Sequence, residues 1–314
     1  MNLACVFPGQ GSQKVAMCKE LYDSSAIARA VFQEADEALK QNLSKIIFEG
    51  PGEELTLTAN TQPALMACSI AILRVLEKEL GKKLPEFCKY VAGHSLGEFT
   101  ALTAANAISL SDCARILRIR GLAMQDAVPL GKGAMFALLG ANIAIAQEIA
   151  KDASEFGACQ VANDNSPEQQ VLSGDVDAVD KAIELASTKG YKAIKLNVSA
   201  PFHSTLMIPA QEKLRAAMEE INISEPQIPV IANISTEILT IDKIKQNLVD
   251  QVISMVRWTE SMRKLKQYHV ATVLEVGPGR VYSNLLKRID SEMIGVPIND
   301  MEGVRGFIET TTLI

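Results

Sequence analysis

The residues of this sequence that could carry acyl or acid–base chemistry are few. Gly93-His94-Ser95-Leu96-Gly97 fits G-x-S-x-G, where glycines two before and two after the serine relieve crowding so that a strand can turn abruptly into a helix. Such a turn holds the hydroxyl out at the carboxyl end of a sheet. It also sets Ser95 at a helix N-terminus, where free N–H groups and the dipole favour negative charge, and the Leu96 N–H can donate to a tetrahedral oxyanion. A serine nucleophile needs a base, and the chain has three histidines. His94 adjoins Ser95, and neighbours in a sharp turn point in different directions. His269 precedes an apolar strand and reads as a solvent-edge or core residue. That leaves His203, in Ser199-Ala200-Pro201-Phe202-His203-Ser204 at the start of a predicted helix, and the order Ser…His suits a triad-like site. The blander alternatives are a small-residue turn without chemistry and a capping histidine. No aspartate or glutamate is marked as a third member.

Arg120 discriminates further. In a predicted helix from Ser111 to Val128 the apolar stripe is Cys113, Ile116, Leu117 and Met124, and Arg120 falls in its middle. A guanidinium on a buried face is costly without an anionic partner and cannot shed its proton. Its partner is either an internal carboxylate or a substrate carboxylate held bidentately near Ser95. Gly9-Gln10-Gly11-Ser12-Gln13 lacks the third glycine of a dinucleotide fingerprint and the Gly-Lys-Ser/Thr ending of a phosphate loop. A tight loop there can instead lend the Gln10 N–H as a second oxyanion donor.

The elements that must position these residues alternate. Leu3 to Phe7 is an apolar run ending in the Gly9 loop, which reads as a buried first strand. A helix covers Ile27 to Leu39, and a second should start near Pro63, with the proline in its first turn. Tyr90 to Ala92 is a strand feeding the Ser95 turn, with a helix from Glu98 to Asn106. From Gly133 to Asn197 the order is strand (Ala134 to Leu139), helix (Ile143 to Ser154), strand (Ala158 to Asn163), strand (Gln170 to Ser173), helix (Val176 to Lys189), strand (Lys192 to Leu196). This β-α-β-β-α-β order is the ferredoxin-like split pattern. It predicts an α/β core over residues 1–128 and 198–314, with an inserted small subdomain over 129–197. Thr272 to Val276, ending at Gly277-Pro278-Gly279, adds one more core strand.

Composition bounds the class. At 314 residues, 48% hydrophobic and 22% charged, the chain is of ordinary globular type, and a net charge of −6 argues against a nucleic-acid surface. Six scattered cysteines without a C-x-x-C pair suggest buried thiols in a reducing cytosol, and no zinc site or other metal. No signal peptide is expected, since the first apolar run stops at Pro8. The uncharged stretch Leu55 to Leu73 is too rich in Thr, Asn and Gln for a membrane span, so the expectation is a soluble cytoplasmic protein. Arg263-Lys264 with Lys266, and Lys287-Arg288, read as solvated helix faces, with a local basic patch for an acidic partner as the alternative.

Taken together, Phe7 to Gln13, Gly93 to Glu98, Arg120-Gly121, Val198 to His203 and Glu275 to Gly279 resemble, in order and separation, the malonyl-CoA:acyl carrier protein transacylases of fatty acid synthesis. The resemblance spans nearly the whole chain. It implies a hydrolase-like α/β core with an inserted ferredoxin-like subdomain, Ser95 as nucleophile, His203 as base and Arg120 as anchor of the malonyl carboxylate. Gln10 and Leu96 would be the oxyanion donors, and Gln251 the residue whose main-chain carbonyl orients the histidine. The implied partners are malonyl-CoA and acyl carrier protein, with no cofactor. Ser254-Met255 stands where the family usually has Asn-Pro, and Phe202 beside His203 favours an unbranched malonyl group. Two rival activities are a serine thioesterase or esterase, which would pass the acyl group to water and normally carry an acid, and a non-catalytic carrier-protein adaptor, which would tolerate loss of Ser95.

Overall fold

The structure, a computed structural model, describes residues 2–198 and 200–312; Ser199, first residue of the His203 segment, lies outside the described residues. Its strands are β1 (Leu3–Phe7), β2 (Tyr90–Gly93), β3 (Gly133–Leu139), β4 (Cys159–Ser166), β5 (Gln169–Asp175), β6 (Lys192–Lys195), β7 (Val230–Ile231), β8 (Thr272–Val276) and β9 (Ile294–Ile298). Five form a parallel sheet in the order β7-β2-β1-β8-β9, with the all-apolar β1 at its centre. A central parallel strand is covered on both faces, hence its unbroken apolar run. Leu3, Cys5 and Phe7 pack against a layer that includes the helices Thr58–Leu80, Leu96–Ala104 and Leu110–Asp126, while Ala4 and Val6 face Trp258, Met262, Leu265 and Leu285. Chemistry therefore gathers at the carboxyl ends of β1 and β2, where the chain leaves the sheet on both strands.

The second sheet is antiparallel, in the order β4-β5-β3-β6. Its helices Ile143–Ala153 and Val176–Thr188 cover Phe136, Leu138 and Leu172, which is the ferredoxin-like arrangement expected from the element order. Met135, Ala162 and Val171 point the other way and join the large core. The small sheet thereby forms one wall of the space above β1 and β2.

Some boundaries differ from expectation for identifiable reasons. The long helix runs Thr58–Leu80, so Pro63 lies in its second turn. Tertiary contacts hold the turn before it: Gln125 Oε1 accepts the Ala59 N–H at 2.7 Å and Thr61 Oγ1 donates to the Leu55 carbonyl at 2.6 Å. Among the described residues this is the one helix long and apolar enough to cross a membrane, and 94% of its most apolar window is buried in the fold. β4 runs on through Asp164, Asn165 and Ser166 because pairing with β5 continues to Ser166 and Gln170 Nε2 donates to Asp164 Oδ1 and to the Ser166 carbonyl. Lys264 pairs with Glu237, and Lys266 with Asp290 and Glu292.

Candidate active site

Ser95 stands between β2 and the helix Leu96–Ala104 with φ 53° and ψ −110°, a backbone conformation rare for a residue with a side chain. The flanking glycines make it attainable. A Cβ on Gly93 would run into the carbonyl of Gly97, and one on Gly97 into the carbonyl of Phe7 in β1. Asn233, just beyond β7, braces the turn: its Oδ1 accepts the Ser95 N–H at 2.7 Å and its Nδ2 donates to the Gly93 carbonyl at 2.7 Å. Because the Gly97 clash is with backbone, Gly97→Ala is expected to cost about 1–3 kcal/mol or more. Thermal melting and labelling of Ser95 by a serine-reactive fluorophosphonate should both decline. Gly306→Ala, at a position with open space around it, is the control that should change neither.

His203 lies not at a helix start but in the turn before the Thr205–Met207 and Ile208–Glu219 helices, with φ 55°. Its Nε2 is 2.8 Å from Ser95 Oγ. Its Nδ1 lies 2.9 Å from the Gln251 carbonyl and 3.1 Å from the Ser254 carbonyl. Carbonyls only accept, so Nδ1 carries the proton and Nε2 is free to take the Ser95 hydrogen. Burial, and after it the charge of Arg120, push the imidazole down to about 3. The ring is therefore neutral, as a base must be.

Arg120 is 1% exposed. Gly121 explains how it comes so close, since a Cβ there would meet the Thr58 carbonyl and the Ala59 backbone where the two long helices touch. Nη1 donates to Gln62 Oε1 at 2.8 Å, and Nη2 to Gln251 Oε1 at 2.8 Å and Ser95 Oγ at 3.1 Å. Its ring-like plane sits 5.4 Å from the centre of Phe99. Nε has no acceptor, and among the described residues no carboxylate lies within ion-pair distance of the guanidinium. Burial lowers its affinity for the proton to about 10, against the pull of Glu98, and it stays charged. The internal ion pair weighed from the sequence is not formed. The nearest carboxylate acting on Arg120 is Glu98, set behind Gln251, which accepts Arg120 Nη2 on its side-chain oxygen and donates to Glu98 Oε2.

Gln10 and Leu96 both line the cavity with Ser95, Arg120 and His203, and neither N–H has an acceptor among the described residues. The Gln10 loop is anchored from behind, the Gly9 N–H donating to Tyr282 Oη at 3.1 Å. Glu275 secures that tyrosine by accepting the Tyr282 and Ser283 N–H groups at 3.1 and 2.7 Å. This accounts for a buried glutamate at the end of β8. The cavity holds about 320 Å³ and is closed on the far side by Met135, Asn163, Leu196 and Phe202.

His94 turns away: Nε2 lies 2.9 Å from Asn165 Oδ1, the ring packs against both Trp258 and Tyr282, and burial pushes it down to about 4. Gln62 and Asn233 were not singled out in the sequence. The one signal for Gln62 is an uncharged polar residue in a continuous buried helix. For Asn233 it is an asparagine directly after the apolar Val230 to Ala232.

Comparison with known proteins bears on this geometry. Residues 4–297 match the family model described as an acyl transferase domain. A malonyl CoA-acyl carrier protein transacylase of Bacillus subtilis strain 168 is 45% identical, over 98% of this chain and 97% of its own. One of Escherichia coli K12 is 38% identical over 98% and 99%. Among solved structures, an acyl-carrier-protein-S-malonyltransferase from Bartonella henselae superposes with TM-score 0.96 at 45% identity, covering 99% of this chain and 100% of that one. A malonyl-transacylase in complex with a type II PKS acyl-carrier protein gives TM-score 0.95 at 37% identity, covering 99% and 100%.

Proposed function

The chain belongs to the acyl transferase family, among its malonyl-CoA:acyl carrier protein transacylases, and we propose that it carries malonyl groups from coenzyme A to acyl carrier protein as an ester of Ser95. The observation that carries this reading is the buried Arg120, in direct ion-pair contact with no carboxylate among the described residues, within 3.1 Å of a serine hydroxyl that also reaches a neutral histidine. A dicarboxylic half-thioester supplies both things the site calls for, a thioester carbonyl for Ser95 and a carboxylate for the guanidinium.

In the first half-reaction Ser95 Oγ attacks the thioester carbonyl as His203 Nε2 takes its proton. The oxyanion is received by the N–H groups of Gln10 and Leu96, each such donor contributing about 10²- to 10³-fold. Collapse breaks the C–S bond, and His203 returns the proton to the departing thiolate. In the second half-reaction the phosphopantetheine thiol of the carrier protein attacks the ester, gives its proton to His203, and Ser95 leaves with that proton. Arg120 acts on both substrate and base. Its charge holds the imidazole down, so a malonyl carboxylate that neutralises it makes His203 a stronger base as the correct substrate arrives. An acetyl group would leave the base suppressed.

Phe202 in the cavity wall supports an unbranched malonyl group, and the segment 129–197 serves as a subdomain that closes the cavity. Each bond made or broken is served by Ser95, His203, backbone N–H groups and thiols, so no cofactor takes part in the scheme. The transfer belongs to fatty acid synthesis in the cytoplasm.

Intact-mass analysis after mixing with malonyl-CoA tests the proposal. A single malonyl adduct should form, map to the Ser95 peptide, be absent in Ser95→Ala, and vanish on adding holo carrier protein as malonyl-carrier appears. An adduct that hydrolyses equally fast without carrier would indicate the thioesterase; no adduct would indicate the adaptor.

A further inference from the structure

Behind the reacting groups, touching neither substrate space nor His203, lies a fully buried carboxylate. Glu98, in the first turn after the Ser95 elbow, is 0% exposed. Its Oε2 accepts Gln251 Nε2 at 2.6 Å, and its Oε1 accepts Asn247 Nδ2 at 2.7 Å and the Asn233 N–H at 3.3 Å. Two of these partners hold the dyad. Gln251 also donates to the Ser95 carbonyl at 2.9 Å, accepts Arg120 Nη2 on its side-chain oxygen and orients His203 through its main-chain carbonyl. Asn233 clamps the backbone on both sides of the elbow.

We propose that Glu98 is the positioning acid of this site, set back behind Gln251 and Asn233 instead of resting on the histidine. Only an acceptor-only group can face three donors at once; a carboxamide at position 98 would turn an N–H toward at least one of them. With Glu98 ionised, Gln251 is pinned so that one residue serves Ser95, Arg120 and His203 together. The anion also opposes the positive charge that grows on the imidazole during attack. The charged group facing Glu98 is Arg120, on the helix Leu110–Asp126. Asn233, Asn247 and Gln251 are neutral, and His203 lies beyond Gln251. Burial pushes the carboxyl up to about 7, against the hydrogen bonds and Arg120. As pH falls through that value, Glu98 gains a proton, Gln251 loses its anchor and the acylation rate falls.

The inference rests on the Ser95–His203 reading, so the readout is the single-turnover rate of Ser95 malonylation, measured against pH in the full-length protein. Glu98→Gln should slow it by about 10²-fold, the lower end of what positioned proton transfer contributes, with KM for malonyl-CoA little changed and the acidic limb near pH 7 gone. Glu98→Asp, which keeps the charge, should restore part of the rate. Asn247→Ala removes one donor from the anion, so its limb should persist and move to higher pH. A Glu98→Gln rate that follows only its folded fraction and keeps the limb overturns the proposal, as does an unmoved limb in Asn247→Ala. Failure of the underlying reading would look different: no Ser95 adduct in the unmutated protein at any pH.

Discussion

His203→Ala is expected to slow malonylation of Ser95 by about 10²- to 10⁴-fold at neutral pH, the range contributed by a positioned general base. No other group can substitute. His94 is held on the opposite side of the elbow by Asn165, and Glu98 is occupied by three donors. The loss should appear in both half-reactions, because in the proposed scheme the same nitrogen returns its proton to the leaving thiol in one and accepts the carrier's in the other. In the substrate-free protein the imidazole is held at about 3, so a change of kcat/KM of the unmutated protein between about pH 5 and 8 is assigned to another group. Added imidazole should recover part of the rate in the alanine variant, since the substitution opens the wall of a cavity that already contains about 320 Å³. A loss below tenfold would place the base elsewhere.

Arg120→Ala should be nearly as damaging, and selectively so. Breaking one side of a buried charge pair costs roughly 2–5 kcal/mol, which is about 30- to 5,000-fold in malonyl transfer. Acetyl transfer should fall far less or rise, because an acetyl group offers no carboxylate and the repulsion that depresses His203 is gone. The expected result is a collapse of the malonyl-to-acetyl ratio of kcat/KM, measured with both CoA thioesters. Arg120→Lys should lie between the two, keeping charge but losing a fork that reaches Gln62 and Gln251 at once. An unchanged ratio in the alanine variant would remove Arg120 from the acyl pocket.

Much of the architecture was legible because it is written in short-range patterns. An unbroken apolar run marks β1 as a strand covered on both faces, and the order of elements from Gly133 to Lys195 specifies the antiparallel sheet that forms. Where pattern and structure part, distant residues decided. Gln125 holds the Ala59 N–H and so lets a helix begin five residues before Pro63. Hairpin pairing and Gln170 carry β4 through three polar residues that read as a loop.

The site divides the same way. A serine between spaced glycines, a scarcity of histidines and an arginine in an apolar stripe are properties of residue type and local spacing, so the sequence alone nominated Ser95, His203 and Arg120. Family resemblance added the Gln251 carbonyl. What only the tertiary structure decided is how these groups are held: Ser254 as a second carbonyl on His203, Asn233 across the elbow, Gln62 on Arg120, and Glu98 joining Asn233, Asn247 and Gln251. Those contacts join positions up to 153 residues apart in the chain. They exist because parallel strands bring distant chain segments side by side at one end of a sheet, and no periodicity within a segment can announce which of its polar residues will meet there.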